Sequence, residues 1–248
     1  MGEAFRLVFC VVAVSLAVGR TCTYAQLLTY TSQTRSLSAG VLIVTDAGYT
    51  DGTWQSVTTN ATDYSPFNRT VSLSQGSGSV SFSADASQRS SMTATSITAS
   101  GWSDFSSAPS GGAYGHSEFS VTFDMTANGR FLLQGSVSKS TDGSFDDVHI
   151  TFASSSGVIY DDDHASTFGL TGPFTPGEYT LTAVSDAGPD ATGQSASGYY
   201  SFTFSAVPEP STAGLVGVGL GLLFFVRRLS GRETEASDRG RSGTPHAE

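Results

Sequence analysis

Clustered carboxylates are the feature of this sequence that most directly offers chemistry. Three consecutive aspartates, Asp161, Asp162 and Asp163, precede His164. A second acidic group comprises Asp142, Asp146 and Asp147. Calcium takes about six to eight oxygen ligands, and aspartates in a loop between strands supply several of them. Neither group has EF-hand spacing, and no pair of histidines has the spacing of a zinc site. A solvated acidic loop and a calcium site both fit this pattern, with Asp161, Asp162 and Asp163 as the calcium candidates.

Serine hydrolysis is the second chemistry that the residue types allow, because serine is abundant throughout the chain. The histidines available as a general base between the two ends are His116, His149 and His164. The sequence contains no G-x-S-x-G nucleophile elbow, which is the local pattern that would mark one serine among many as reactive. We therefore predict no catalytic residue and no enzymatic activity.

Aromatic side chains outside the strand-like segments offer a third chemistry, which is stacking against sugar rings. Trp54 and Trp102 lie in or near loop-like stretches, as do Tyr49 and Tyr114. Many β-sandwich modules bind glycans on flat aromatic side chains, although aromatic residues of a sandwich more often belong to its core. The candidates for glycan stacking are Trp54 and Trp102.

Strands must position all these residues, because apolar and polar residues alternate from Gln26 to Val207 with turn residues between the segments. The clearest segments are Glu118–Met125 and Arg130–Ser138, which the turn Ala127–Gly129 joins into a predicted hairpin. Other strands are predicted at Ala39–Thr45, Thr70–Leu73, Ser79–Ala84, Ser91–Ala99, Val148–Phe152, Tyr179–Ala183 and Tyr200–Phe204. About nine to eleven short strands without helical periodicity predict a single antiparallel β-sandwich or jelly roll.

Composition and charge limit the class of protein. The chain of 248 residues is 38% hydrophobic and carries a formal net charge of −10. Between Gln26 and Val207 there are 16 acidic and 5 basic side chains, a balance of −11. Such a surface repels phosphate backbones, so a nucleic acid partner is not expected. The two cysteines, Cys10 and Cys22, both precede Gln26, so a chain that begins at Gln26 has no disulfide and no reactive thiol.

The N-terminal segment has the pattern of an export signal. An apolar run, Leu7–Val18, follows Arg6. It is shorter than the roughly 20 residues of a membrane-spanning helix and fits a signal-peptide core. Small residues at Thr23 and Ala25 predict cleavage by signal peptidase after Ala25. A retained N-terminal anchor is the alternative.

The C-terminal segment combines a proline-rich motif, an apolar run and a basic stop. Val207, Pro208, Glu209 and Pro210 precede the apolar run Thr212–Val226, which Arg227 and Arg228 follow. The run is barely long enough to enter the bilayer core as a helix, and the arginine pair favours the cytoplasmic side. The segment between the two ends would then face outward, and the polar tail 229–248 would be a disordered cytoplasmic segment.

This order resembles the PEP-CTERM sorting signal, a three-part tail that exosortases recognise. Those enzymes are membrane-embedded and similar to cysteine transpeptidases. The family pattern maps onto Val207, Pro208, Glu209, Pro210, Arg227 and Arg228. The resemblance implies that an exosortase cleaves close to the motif and passes the outer domain to the cell surface or extracellular matrix after a transient stay in the inner membrane. A plain C-terminal anchor is the alternative, and the tail beyond the arginines is longer than the family pattern.

The segment between the signals also resembles a group of PEP-CTERM proteins of β-sandwich type. The residues that carry this resemblance are Tyr30–Gln33 with Arg35 and Ser36, Asp63–Phe67, Ala86–Gln88 with Ser90 and Ser91, and Pro176–Leu181. It implies an architecture and a location but no activity. We further predict that Pro176 and Gly177 form a tight turn, and that the Tyr179 hydroxyl pairs with the backbone there.

The sequence therefore predicts a signal peptide at 1–25, a β-sandwich domain at 26–206, a sorting signal with a transmembrane helix at 207–228 and a disordered tail at 229–248. The expected function is that of a non-enzymatic surface or matrix protein. Its expected partners are signal peptidase, an exosortase, the membrane through residues 212–226, and exopolysaccharide. The alternative is a carbohydrate-binding module, with calcium as a stabilising ion.

Overall fold

The computed structural model describes residues 26–44, 52–77, 80–107, 112–140, 146–188, 195–209 and 219–223. The chain divides into two units, Met1–Pro208 and Glu209–Glu248, and the strands below all belong to the first unit. The predicted signal peptide and the tail 229–248 lie outside the described residues, as do Pro210, Arg227 and Arg228.

The described chain forms strands for most of its length. There are twelve: β1 (Leu28–Val44), β2 (Gly52–Asn60), β3 (Phe67–Ser77), β4 (Val80–Met92), β5 (Ser96–Ser106), β6 (Ala113–Met125), β7 (Gly129–Lys139), β8 (Asp146–Ser154), β9 (Gly157–Asp162), β10 (Ser166–Phe174), β11 (Gly177–Ala187) and β12 (Ser195–Pro208).

The strands form two six-stranded sheets. The first sheet has the order β2-β1-β6-β11-β8-β9, and the second has the order β10-β7-β12-β5-β4-β3. Every pairing in both sheets is antiparallel. The prediction of an all-β fold with antiparallel sheets is confirmed, and two sheets that share a buried core are consistent with a β-sandwich.

The predicted hairpin between Glu118–Met125 and Arg130–Ser138 is wrong. Both segments are strands, but β6 belongs to the first sheet and β7 to the second. The turn between β6 and β7 leads from the first sheet to the second instead of joining two neighbouring strands of one sheet. Alternation of buried and exposed residues, as in β6, reveals which face meets the core. It does not reveal whether the next strand lies beside the first or opposite it.

The remaining differences from the predicted strands have a common physical cause. The strands β2, β9 and β10 were not predicted, and all three lie at sheet edges. The described side chains of β2 and β9 are mostly exposed, so these strands lack the apolar alternation by which strands are found. The predicted strand Ser91–Ala99 spans the end of β4, a turn and the start of β5.

Two apolar clusters separated by a polar layer fill the space between the sheets. The larger cluster includes Phe123, Phe152 and Phe204, and the smaller includes Val41 and Phe105. In the polar layer the Ser103 and Ser185 hydroxyls lie 2.8 Å apart. The Gln88 amide donates to Tyr200 Oη at 2.9 Å and to the Glu118 carbonyl at 2.6 Å. The bonds from Ser103 to Ser185 and from Gln88 to Glu118 link strands of opposite sheets and fix their relative register.

A buried arginine organises the connection between β2 and β3. Arg35 is 1% exposed, and its guanidinium donates to the Ser65 carbonyl at 2.8 Å and to the Asp63 carbonyl. It also donates to Gln33 Oε1 and to Ser90 Oγ, and it lies 5.5 Å from the centre of the Phe67 ring. Burial lowers the pKa of Arg35, and the nearby charge of Asp63 opposes that shift. Segments far apart in sequence therefore meet around one side chain.

The turn before β11 agrees with its prediction. Gly177 has φ +150, a backbone conformation that side chains rarely adopt. The Tyr179 hydroxyl donates to the Thr175 carbonyl at 3.1 Å and accepts from the Thr175 amide at 3.3 Å. Tyr179 is buried, so this pairing satisfies its one polar atom while the ring fills the core.

Candidate functional site

The proline-rich motif begins inside the last strand of the folded domain. Val207 pairs with Arg130 and Pro208 with Gly129, at the end of the ladder between β12 and β7. Val207 is exposed, and so are Pro208 and Glu209. Pro210, Arg227 and Arg228 lie outside the described residues. The motif therefore leaves the sheet directly, without an intervening linker.

The start of the described chain lies at the same end of the two sheets. The Leu27 amide donates to the Ala94 carbonyl at 3.1 Å, and the Ala206 amide donates to the Thr95 carbonyl at 2.8 Å. The Thr126 hydroxyl donates to the Gln26 carbonyl at 2.8 Å. We define the terminal rim as Gln26, residues 93–95, residues 126–130 and Pro208. Both ends of the domain leave from this rim.

Residues 219–223 are helical, and Leu220, Leu222 and Leu223 are each at least half exposed. Within the described part of the chain, no helix has both the length and the apolar character that a membrane crossing requires. The rest of the predicted span Thr212–Val226 lies outside the described residues.

The carboxylates of Asp161 and Asp162, two of the three aspartates proposed for calcium, have hydrogen-bond partners within the protein. The Asp161 carboxylate accepts from Thr151 Oγ1 at 3.0 Å. The Asp162 carboxylate accepts from Tyr160 Oη at 2.8 Å, from the His164 amide at 3.0 Å and from Ser166 Oγ. Burial acts to raise the pKa of Asp162, but these three hydrogen bonds hold it below its usual value.

The structure instead groups Asp162, Asp163 and His164, whose ligand atoms lie within 4.8 Å of one another. Two carboxylates and one imidazole fall well short of the roughly six to eight oxygens of a calcium site. In the second acidic group, Asp147 Oδ2 lies 3.4 Å from His149 Nδ1. Asp142 and the Asp146 side chain lie outside the described part of the structure.

His116 lies between two carboxylates on the outer face of the first sheet. Its Nδ1 is hydrogen-bonded to Asp186 Oδ1, and its Nε2 lies 3.7 Å from Glu118 Oε2. The hydrogen bond to Asp186 raises the pKa of His116 above its ordinary value, and burial opposes that effect. Carboxylates flank both ring nitrogens, where a general base of the serine-hydrolase type would need a nucleophilic hydroxyl on one side.

This arrangement predicts a pH-dependent contribution to stability. Because the pKa of His116 is raised in the folded state, its stabilisation is complete below the unfolded pKa of about 6.5 and is lost as pH rises through the folded pKa. Urea unfolding at about pH 5.5 and about pH 8.5 measures it. We expect wild type to lose up to about 1 kcal/mol more than His116→Gln over that interval. Equal losses in the two proteins would contradict this assignment.

The two tryptophans proposed for glycan stacking lie on different sheets. Trp54 lies on the edge strand β2, opposite Leu42, and its side chain is outside the described part of the structure. Trp102 lies on β5 in the second sheet and is half-buried. Tyr114 packs its ring over Gly40, so closely that a Cβ there would lie 2.2 Å from it, and Tyr49 lies outside the described residues.

Trp102 has an aromatic neighbour that the sequence did not single out. Tyr199 on β12 is its direct cross-strand partner, and Tyr199 is 39% exposed. In β12 the buried residues are Ala196, Gly198, Tyr200, Phe202, Phe204 and Ala206, so Tyr199 points away from the core. The doublet Tyr199-Tyr200 could have revealed this, because one residue of an adjacent pair in a strand must face outward.

The comparisons with known proteins bear on the C-terminal end. Residues 206–232 match the family model of the PEP-CTERM protein-sorting motif. The match begins at Ala206, among the last residue pairs of the ladder between β12 and β7. It includes all the sorting residues predicted from the sequence. That resemblance is therefore confirmed.

For the domain itself the comparisons are weak. The solved structures that resemble it include the CBM22-1 xylan-binding domain from Paenibacillus barcinonensis Xyn10C, at 12% identity over 56% of this chain and 87% of that domain, with a TM-score of 0.21. Another is the enzymatically active domain of bacteriophage CBA120 tailspike protein 4, at 10% identity over 56% of this chain and 19% of that one, also with a TM-score of 0.21. Similarity at this level indicates neither fold nor function. No curated protein matches the sequence.

Proposed function

We infer that this chain, which carries a PEP-CTERM protein-sorting motif at residues 206–232, is an exported, non-enzymatic surface or extracellular-matrix protein processed by an exosortase. The motif implies exosortase-dependent sorting and a membrane-anchored C-terminal signal. The chain is thus a substrate of the sorting enzyme. Its β-domain is the part that is sorted, and it contributes no catalytic group to the processing.

The position of the motif is the observation that supports this proposal most directly. The sheet ends at Pro208 and Glu209 is exposed, so the recognised residues begin where the folded domain stops. A processing enzyme takes its substrate as an accessible chain. Residues up to Pro208 are held in a strand ladder, so the cut falls on the C-terminal side of Pro208.

The terminal rim explains how one domain can serve two membrane-bound processing steps. Signal peptidase acts at the membrane just before Gln26, and the exosortase acts just after Pro208. Because both residues lie at the terminal rim, the domain presents the same end to the bilayer at both steps. A domain with its ends on opposite sides would need to turn over between them or to carry a long linker.

The non-enzymatic part of the proposal rests on the sequence, which contains no G-x-S-x-G nucleophile elbow. Each of the three described histidines, His116, His149 and His164, lies beside an aspartate. A catalytic triad would need a nucleophilic hydroxyl on the other ring nitrogen as well. At His116 that position faces Glu118.

Comparison of cells with and without the exosortase tests the proposed function. With the enzyme, we expect the domain in the surface or extracellular fraction. Without it, we expect the domain to remain in the inner-membrane fraction, because the apolar run Thr212–Val226 stays attached. The matched control is a second exported protein of the same cell that lacks a PEP-CTERM motif, whose distribution should not change. An unchanged distribution of this domain would contradict the proposal.

A further inference from the structure

The outer face of the second sheet carries an aromatic pair in an otherwise hydroxyl-rich surface. The outward positions of β4, β5, β7 and β12 are mostly serine and threonine. Among the described outward positions of this sheet, Trp102 and Tyr199 alone are aromatic, and they are direct cross-strand partners. Since they point away from the core, core packing does not account for them.

An open groove of about 580 Å³ lies on the same face, and neither Trp102 nor Tyr199 is part of its lining. Its lining includes a row of cross-strand partners, Arg89, Ser100 and Ser201, one step along the strands from Trp102 and Tyr199. A second row in the lining consists of Ser91, Thr98 and Thr203. Neighbouring strands lie about 4.8 Å apart, and successive outward residues of one strand about 6.8 Å apart, so hydroxyls, guanidinium and aromatic rings form one continuous surface.

Arg89 is the cation of this groove. It is exposed, and the ion pairs of the described residues all involve histidine instead of arginine. An exposed guanidinium offers up to five donors in a planar fork, which can bind hydroxyl oxygens and binds carboxylate oxygens more strongly. Within the described part of this acidic domain the Arg89 guanidinium has no carboxylate partner, so it is available to a ligand.

We propose that this face binds a polysaccharide chain, with Trp102 and Tyr199 stacking on sugar rings and Arg89, Ser100 and Ser201 hydrogen-bonding the hydroxyl or carboxylate groups around them. A pyranose ring has an apolar C–H face and a polar rim. The negative face of an aromatic ring attracts the former, and side-chain donors and acceptors satisfy the latter.

Other ligand classes fit this surface less well. A protein partner favours a contiguous apolar patch with a desolvated centre, whereas the outward neighbours of this aromatic pair are serines and Asp104. A nucleic acid chain also stacks on aromatic rings, but it needs a positively charged track, and the acidic balance of the domain opposes it. The polysaccharide proposal does not depend on the exosortase step, and either can fail without the other.

Isothermal titration of the full chain with two soluble probes tests the proposal. The chain is solubilised in a detergent without a sugar headgroup, and the probes are a neutral β-glucan oligosaccharide and a uronate oligosaccharide. We expect at least one to bind at concentrations below about 1 mM. Trp102→Ala and Tyr199→Ala should each weaken that binding about tenfold.

Trp54→Ala is the matched control, because Trp54 lies on the other sheet. The Trp54→Ala protein should bind the oligosaccharide probes with the affinity of wild type. Since Tyr199 is exposed, Tyr199→Ala keeps the test decisive even if Trp102→Ala does not fold. If Arg89 recognises carboxylates, Arg89→Gln should weaken binding of the uronate probe more than binding of the neutral probe. If Arg89 recognises hydroxyls, the substitution should weaken binding of both probes equally. Binding of neither probe, or affinity unchanged by Tyr199→Ala, would overturn the proposal.

Discussion

A double substitution, Glu209→Ala with Pro210→Ala, is expected to lower the amount of processed protein at the cell surface by roughly thirtyfold. Glu209 is exposed and directly follows the last strand, so its carboxylate is accessible to a partner enzyme. A neighbouring proline limits the conformations of the motif and thereby lowers the cost of ordering it on binding. Quantitative immunoblots of membrane and surface fractions measure the effect.

The control for this experiment is Glu178→Ala. Glu178 is also an exposed glutamate, at the start of β11 beside Asp124 of β6, so its substitution removes the same charge without touching the motif. Its processing should match wild type. If the motif variant and Glu178→Ala reach the surface in the same amounts, the sorting residues assigned here do not act in recognition.

Arg35→Ala is expected to destabilise the domain by about 2–4 kcal/mol. The substitution deletes the donors for the Ser65 and Asp63 carbonyls and removes the guanidinium beside Phe67. The loss of packing adds to the loss of hydrogen bonds, because Arg35 is buried. For a domain of this size the melting temperature should fall by roughly 5–15 °C. Thermal unfolding of the processed protein, followed by circular dichroism, measures it.

Arg69→Ala makes the same charge change at an exposed position. Among the described residues, the Arg69 guanidinium donates only to the adjacent Asn68 carbonyl, at 3.4 Å, so its removal should cost less than about 0.5 kcal/mol. Arg35→Met, which keeps much of the apolar volume, should fall between the two. Equal melting temperatures for the Arg35→Ala and Arg69→Ala proteins would show that the buried guanidinium does not hold the β2–β3 connection in place.

Alternation predicted the central strands and the edge strand β3 but missed the edge strands β2, β9 and β10, for one physical reason. Central strands such as β6 have every second side chain in the core, which imposes a period of two on the sequence. Edge strands such as β9 have most side chains exposed, so no such period is required. Pairing was equally hidden, because β6 and β7 follow one another in the chain yet lie in opposite sheets.

Short motifs in the domain were visible in the sequence, but their meaning was not. Arg35, the segment Asp63–Phe67 and Ser90 stood out as separate points of family resemblance. The structure shows that they meet around one buried guanidinium. No pattern along the chain indicates a contact between residues so distant in sequence, and a buried arginine is uncommon enough that a surface position would have been assumed.

The functional residues also differ in how far the sequence reveals them. The sorting signal is a contiguous run, so the order of its parts could be read directly and the family match confirms it. The aromatic pair of the second sheet joins Trp102 to Tyr199 through strand register. A tryptophan could be proposed from the sequence, but its neighbour depends on which strands pair, which the sequence does not reveal.

Intact-mass spectrometry of the protein collected from the cell surface tests the central claim most directly. If an exosortase removes the sorting signal, the mature chain begins near Gln26 and ends on the C-terminal side of Pro208, and it lacks the apolar segment Leu215–Val226. A mature protein in which Leu215–Val226 remains joined to the β-domain would contradict the account.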